Sequence, residues 1–254
     1  VNKLLSILLV VVLSGCSNNT PENCNKNDAM ENWKNCYASV VIKDNYVTNE
    51  YIGLWNAGTL NGEGTHIIET KGFEGDYIIK ESFNGIWTNG KLNGSGTYKK
   101  SFDSIPSKGT TYTTYEGSFK NTKYDGYGVR KVDWESNKWF YPSFDKSIEK
   151  GFFKDGILHG EGERIYEAKY FSKYGIGYRK VIRKADFKSG MLSGNGLYKE
   201  IHEGTDGYGN LSGFNYEISF EGSFLNGKLK KGKFIIDNKT REKRNGLYIG
   251  ELFC

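Results

Sequence analysis

Few residues of this chain combine into a recognisable catalytic or metal-binding pattern. The histidines His66, His159 and His202 each lie far from any cysteine in sequence, which disfavours a zinc-type site. The Gly-x-Gly pairs never continue into Gly-x-Gly-x-x-Gly, and the serine-hydrolase elbow, the His-Glu-x-x-His helix and the Walker loop are missing from the sequence. We therefore expect no enzymatic activity, no cofactor and no metal.

The first residues have the pattern of a signal peptide. Lys3 is followed by ten mostly apolar residues, Leu4 to Leu13, far fewer than the roughly 20 that a membrane-spanning helix needs. Small residues follow at once, as is typical before a cleavage site. Residues 1–15 are therefore predicted to be removed on export, and a core helix is the alternative interpretation.

The segment Leu13-Ser14-Gly15-Cys16 resembles the lipobox of bacterial lipoproteins. The resemblance implies cleavage before Cys16, a diacylglyceryl group on its thiol and an acyl chain on its amino group. Two or more such chains give stable membrane attachment. Residues 16–23 would then be a lipid-anchored polar tether. The absence of Asp at position 17 implies an outer membrane, with the protein facing the periplasm.

An exported chain with three further cysteines is expected to form one disulfide. Cys24 and Cys36 flank a short polar segment, which favours their pairing within an N-terminal cap that covers residues 24–50. A bond between Cys36 and Cys254 is the competing pairing. It would require the two ends of an elongated array to meet.

The composition indicates an all-β chain. Glycine (33 residues), tyrosine (18), phenylalanine (15) and tryptophan (5) are abundant and proline is scarce, so turn formers and strand formers dominate. The hydrophobic fraction of 37% and the mean hydropathy of −0.60 are low for a thick core. A thin, single-layer or solenoid-like structure would fit these values.

An internal repeat fills residues 51–254. Each copy places a large residue, a glycine and an aromatic residue at i, i+2 and i+4, followed by a Gly-x-x-x-Gly-x-Gly tail. Tyr51, Gly53 and Trp55 begin the clearest copy, and further copies begin at residues 83, 115, 149, 183 and 220. In a strand, residues at i, i+2 and i+4 share one face.

Turn residues are expected to close each copy into a hairpin. Asn89-Gly90 and Asp155-Gly156 are dipeptides that tolerate the positive φ of a tight turn. The tail glycines leave bare backbone over which aromatic rings can lie. Four copies depart from the pattern. Thr122 stands where the turn glycine is expected in the third, and Glu149 replaces the initial tyrosine of the fourth. The fifth begins with Arg183 and Ala185, and the sixth has Lys231 and Lys233 in the two tail-glycine positions.

The pattern resembles the MORN repeat over residues 51–250. The resemblance implies an elongated array of antiparallel hairpins forming a twisted single-layer sheet, and a role in membrane contact, lipid binding or scaffolding. The key positions lie 28 to 37 residues apart, whereas family repeats follow one another at roughly two dozen residues. We therefore expect lengthened strands and protruding loops along one edge of the array.

Positive charge is concentrated in two segments of a chain whose formal net charge is +5. Residues 169–188 carry seven cations and one acid, and residues 228–244 carry eight cations and two acids. Such stripes can contact anionic lipid or acidic polymers, and ordinary solubilising charge is the alternative. The candidate residues for contact with an anionic surface are Lys228, Lys230, Lys231 and Lys233.

These patterns predict a non-enzymatic binding or scaffold module anchored to the bacterial cell envelope. Its expected partners are the membrane, through the N-terminal lipid, and anionic lipid, an acidic envelope polymer or another protein. Nucleic acid is not expected, since export separates the chain from it. The rival hypothesis is a small hydrolase or transferase site built from the inter-repeat insertions, for which a convergent cluster of histidine and carboxylates in a deep pocket would be required.

Overall fold

The computed structural model describes residues 21–104, 109–136, 143–172, 175–206, 215–238 and 243–253. Its strands form one open sheet in which every strand pairs antiparallel with its neighbours in chain order. The predicted all-β hairpin array is therefore confirmed, while the proposed signal peptide lies outside the described residues. The strands are β1 (Lys34–Lys43), β2 (Val47–Asn56), β3 (Thr59–Lys71), β4 (Tyr77–Thr88), β5 (Lys91–Ser104), β6 (Gly109–Lys120), β7 (Lys123–Ser136), β8 (Ser143–Lys154), β9 (Ile157–Ser172), β10 (Gly175–Lys188), β11 (Met191–Asp206), β12 (Tyr216–Leu225), β13 (Lys228–Asn238) and β14 (Lys243–Phe253).

Two-residue turns close six hairpins, from β2–β3 to β12–β13. Both turn residues have positive φ, for example +48° and +72° at Asn89 and Gly90, as a type I′ turn requires. Thr122 adopts a φ of +66° in the turn glycine's place, a costly conformation for a β-branched residue. The turns predicted from the sequence are thus confirmed, including the one without glycine.

A cross-strand pair of large apolar side chains next to each turn forms the core, and all of them are buried except Tyr124, which is partly buried. Trp55 faces Leu60 and Trp87 faces Leu92, and all four are at most 4% exposed. We call the side of the sheet that carries these pairs the core face and the opposite side the outer face. The same pair recurs in every hairpin, and the later ones are Phe119–Tyr124, Phe153–Leu158, Phe187–Leu192 and Phe224–Leu229.

Successive hairpins are joined by a hydrogen bond outside the strand ladder. The backbone N–H of Gly90 donates to the carbonyl of Leu60 in the preceding hairpin at 2.9 Å, and Gly156, Gly190 and Gly227 donate in the same way. Each turn therefore docks on the core pair before it. Contact of this kind makes the stability of each repeat depend on its neighbour, as in other repeat proteins.

Aromatic rings cover the tail glycines. A Cβ added to Gly64 would lie 3.3 Å from the Trp87 ring, and one added to Gly96 would lie 3.3 Å from the Phe119 ring. The Trp87 indole N–H also donates to the Gly64 carbonyl at 2.8 Å. Trp87 and Phe119 therefore each lie over a glycine of the preceding hairpin, whereas Gly128 is covered by Tyr115 of its own hairpin. Both arrangements were predicted from the sequence.

The N-terminal cap continues the same sheet. Its β1 strand pairs with β2, and residues Glu22 to Cys24 bind the free edge of β1 through two backbone hydrogen bonds to Tyr37. The predicted disulfide joins Cys24 to Cys36, with a Cα–Cα distance of 4.9 Å. Cys36 is therefore bonded to Cys24, the pairing favoured by the sequence. Cys254 lies outside the described residues.

The strands are long for a hairpin repeat, and β9 and β11 each have 16 residues, which accounts for much of the wide repeat spacing. Two short 3₁₀ turns, Met30–Asn32 and Phe73–Gly75, complete the described secondary structure. Within the described part of the chain, no helix has the length and apolar character needed to cross a membrane.

Candidate functional site

A single row of side chains crosses the core face from β2 to β13, one residue per strand. Each member is the direct register partner of the next. The row begins in the first tyrosine position of the repeat and continues through the equivalent place on every strand. We call it the core row, and it consists of Tyr51, His66, Phe83, Tyr98, Tyr115, Arg130, Glu149, Arg164, Arg183, Tyr198, Phe220 and Phe234.

Stacked rings form the first part of the core row. Tyr51 and His66 stack at 4.1 Å, and Phe83 lies 4.7 Å from Tyr98. Tyr115 stacks on Tyr124 at 3.8 Å. Because these faces are occupied by other rings, this part of the row packs the sheet instead of offering flat surfaces to a ligand.

Burial raises the pKa of the tyrosine hydroxyls in this region further above their ordinary value. It raises the pKa of Tyr115 to about 12, with a further contribution from Asp125. Burial also raises the pKa of Tyr98, whose hydroxyl donates to Glu81. These hydroxyls are therefore hydrogen-bond donors and not bases at physiological pH.

Charged residues replace the rings in the middle of the core row. Glu149, only 4% exposed, stands between two arginines. Its carboxylate lies 2.6 Å from Nη2 of Arg130 and 2.6 Å from Nη2 of Arg164, and Arg164 Nε also donates to it at 2.7 Å. Glu149 occupies the tyrosine position of its repeat. It is thus a buried carboxylate whose charge is neutralised by an arginine from each neighbouring strand.

Two further contacts extend this charged segment. The Arg164 guanidinium lies 5.5 Å from the centre of the Phe187 ring, and Arg183 lies 5.6 Å from the centre of the Tyr198 ring. Both distances are within cation–π range. The Arg164 guanidinium therefore packs on a ring of the next hairpin, and the Arg183 guanidinium packs on a ring of the second strand of its own hairpin.

A second polar cluster surrounds Glu200 on β11. Its carboxylate accepts hydrogen bonds from the Tyr198 hydroxyl, from Arg179 Nε at 2.9 Å and from His202 Nε2 at 2.6 Å. Burial raises the pKa of Glu200, but the hydrogen bonds and the Arg179 charge outweigh burial and hold it below the usual value. The His202 ring stacks on Tyr216 at 4.4 Å.

These clusters are suited to holding the sheet together. Both carboxylates, Glu149 and Glu200, already accept several hydrogen bonds from cations or hydroxyls. Among the described residues, no group of three or more histidine, cysteine, aspartate or glutamate side chains is placed to hold a metal ion.

The structure divides the basic segment 169–188 between the two faces. Arg179 and Arg183 lie on the core face beside Glu200 and Tyr198. Lys180, which follows Arg179 in the sequence, lies on the outer face and pairs with Glu167 at 2.7 Å. Strand alternation separates neighbouring cations in this way, so the cations that the structure describes in this segment do not form one basic surface.

The four candidate lysines all lie on β13. Lys231 and Lys233 share the outer face, opposite Ser223 and Glu221, and both are exposed. Lys228 lies beside the turn, opposite Leu225, and Lys230 is the extra residue of a β-bulge. Cys16, the predicted lipid attachment site, lies outside the described residues.

The sequence did not predict the partners of Glu149. A usable signal existed, since Arg130 and Arg164 each stand two residues after the last tail glycine of their hairpin, where other copies have an aromatic residue or histidine. The register of β7, β8 and β9 then places these arginines on either side of Glu149.

The fold and the core row define the class of this protein as an array of hairpins stacked in one sheet. Comparison with protein-family models finds the MORN repeat at residues 51–69, 83–101, 115–131 and 150–167. The chain therefore contains four MORN repeats, which in general form a non-catalytic binding module. The hairpins β10–β11 and β12–β13 lie beyond the matched residues and keep the same core pair. No curated protein matches the chain.

Proposed function

We propose that this chain is a non-catalytic scaffold held at a bacterial envelope membrane by an acylated Cys16, with Lys228, Lys230, Lys231 and Lys233 contacting an anionic surface. The observation that supports the proposal most is the set of MORN repeats, which suggests a membrane- or lipid-binding scaffold module.

The arrangement of β13 fits contact with an anionic surface. Lys231 and Lys233 stand at i and i+2 on an exposed face, so their ammonium groups can approach one plane. Each cation near an anionic lipid surface contributes about 1 kcal/mol. Glu221, opposite Lys233, offsets part of this attraction.

Vesicle binding tests the proposal. The chain from Ser17 onward keeps every described residue and has no acyl group, so its binding reports the folded surface alone. We expect it to bind vesicles of phosphatidylglycerol better than vesicles of phosphatidylcholine, and to be released as salt rises, because screening shortens to about 8 Å at physiological ionic strength. Reversing the four lysines to glutamate should nearly abolish binding.

A matched variant controls for net charge. Lys43, Lys99, Lys131 and Lys150 are exposed on the outer face of other strands, and their reversal to glutamate changes the net charge equally. Binding should largely survive in this control. Binding that ignores salt and both sets of substitutions would exclude the anionic-surface part of the proposal and favour a protein partner.

The rival hydrolase interpretation would use the contact between His202 and Glu200. That carboxylate already accepts hydrogen bonds from three donors and has a lowered pKa. A general base needs a lone pair that is free to accept the proton, and it needs a pKa near the working pH. The geometry therefore favours binding over catalysis.

A further inference from the structure

The residue pairs that flank the six two-residue turns form a second surface, which we call the turn rim. All of them lie on the outer face, beside the buried core pairs, and follow one another along the edge of the sheet where the turns dock. The turn rim consists of the register pairs Asn56–Thr59, Thr88–Lys91, Lys120–Lys123, Lys154–Ile157, Lys188–Met191 and Leu225–Lys228.

The turn rim is basic. Together with the turn residues that it encloses, it contains six lysines and a single carboxylate, that of Asp155. Asp155 lies 3.2 Å from Lys123, and both side chains are more than 60% exposed, so this pair neutralises little. Neighbouring hairpins are about 10 Å apart, since each strand adds about 4.8 Å. The lysines therefore recur along one line.

The turn rim also carries exposed apolar side chains. In each of the last three hairpins, one lysine stands opposite one exposed aliphatic side chain. Ile157, Met191 and Leu225 are 51%, 47% and 50% exposed. Cations interspersed with exposed aliphatic groups are typical of surfaces that lie at the boundary of lipid headgroups and acyl chains.

The described part of the chain begins near the edge of the sheet that carries the turn rim. β1 begins beside the first turn, where Lys34 pairs with Asn56, and the Ala57 N–H donates to the Trp33 carbonyl at 2.8 Å. The bridge between Asn23 and Tyr37 is parallel, so residues 22–24 run along β1 away from the turn rim. Pro21, the first described residue, therefore lies on the turn-rim side.

We infer that the turn rim faces the bilayer that holds the lipid anchor, with its lysines on anionic headgroups and its aliphatic side chains at the acyl boundary. This inference rests on the proposed function and gives the module an orientation. Pro21 comes only five residues after Cys16 in the sequence, which limits the distance between them to about 18 Å. The anchor thus holds the turn rim close to the membrane, and the opposite ends of the strands point away from it.

The inference is tested in the complete acylated chain, reconstituted in vesicles of phosphatidylglycerol and phosphatidylcholine. An environment-sensitive fluorophore is attached to a cysteine introduced by Ile157→Cys or Met191→Cys, with Cys254→Ser to leave one reactive thiol. Phe73→Cys is the matched control, because Phe73 is an apolar side chain, 71% exposed, in the connection between β3 and β4 at the other end of the strands.

Lipids that carry a spin label on the acyl chain should quench the probes at positions 157 and 191 and leave the probe at position 73 unquenched. Adding Lys120→Glu, Lys154→Glu and Lys188→Glu should remove the quenching at position 191. If Met191→Cys fails to fold, Leu225→Cys provides a second position on the turn rim.

Equal quenching at position 73, or none on the turn rim, would overturn the inference. The failure of the proposed function can be distinguished from the failure of this inference. If the probes on the turn rim stay unquenched while reversal of Lys228, Lys230, Lys231 and Lys233 still abolishes vesicle binding, the proposed function stands and the orientation is wrong. If vesicle binding also ignores salt and charge reversal, the orientation and the anionic-surface part of the proposed function are both wrong.

Discussion

Thr122 and Leu92 exchange two hydrogen bonds across the boundary between neighbouring hairpins. The Thr122 N–H donates to the Leu92 carbonyl at 2.9 Å, as the turn glycines of other repeats do. The Leu92 N–H in return donates to the Thr122 hydroxyl at 3.0 Å. The hydroxyl is therefore a physical reason for a threonine at positive φ, since it satisfies a donor of a fully buried residue.

This exchange predicts different effects for two substitutions of Thr122. Thr122→Ala keeps the positive φ but leaves the Leu92 N–H without its acceptor, which should destabilise the protein by about 1–3 kcal/mol. Thr122→Ser keeps the acceptor and removes the β-branch, so its stability should be at least that of the parent. Urea unfolding measures both, with Thr88→Ala at a neighbouring turn as the control. An alanine variant as stable as the parent would contradict the assignment.

Removal of the Glu149 charge should destabilise the centre of the sheet. Glu149→Gln leaves Arg130 and Arg164 facing each other without their shared carboxylate, and breaking a buried ion pair costs about 3–5 kcal/mol. Because the arginine side chains are 35% and 28% exposed, we expect the lower end of that range. Urea unfolding should detect the loss, whereas Glu161→Gln at an exposed position should change little. Equal stabilities would show that the triad is not needed for folding.

The Glu200 cluster predicts a loss of stability in acid. The native pKa of Glu200 is lowered from 4.5, so its contribution is fully present above that value and is lost as pH falls through the lowered pKa. Glu200→Gln should therefore reduce stability near neutral pH and weaken its pH dependence below about pH 4.5. Urea midpoints measured for both proteins across this range provide the test. Parallel curves would mean that other carboxylates control the acid transition.

The disulfide should protect the free edge of β1. Mass mapping of the non-reduced protein is expected to find Cys24 joined to Cys36 and Cys254 with a free thiol. Reduction should release residues 22–24 from Tyr37, because closing a loop of this size contributes about 3 kcal/mol. Hydrogen exchange in β1 should then accelerate more than exchange in β6. A bond between Cys36 and Cys254 would disprove the pairing.

The lipid anchor is open to a direct test. Cys16→Ala removes the thiol on which thioether lipidation depends, so metabolic labelling with a fatty acid should be lost and the uncleaved precursor should accumulate. Cys254→Ser is the control and should label like the parent. Equal labelling of the Cys16→Ala protein would exclude the proposed attachment.

The sequence predicted the repeating parts of the fold and missed features that depend on register. Alternation at Tyr51, Gly53 and Trp55 was sufficient to assign a face, and the turn dipeptides located the hairpins. The partners of Glu149 could not be assigned, because they lie on two other strands. Their alignment depends on β-bulges after the key glycines, such as the register shift between Gly151 and Phe153.

The hydrogen bond from each turn to the core pair of the preceding hairpin gives this protein a modular length. Each of these turns docks on the preceding hairpin through the same backbone hydrogen bond, so duplication or deletion of a whole hairpin keeps that bond at the new junction. The fourteen strands span about 62 Å across the sheet at about 4.8 Å per step. Gain or loss of one hairpin would therefore move whatever is bound at the far end by about 10 Å, so that repeat number sets the reach of the molecule in fixed increments.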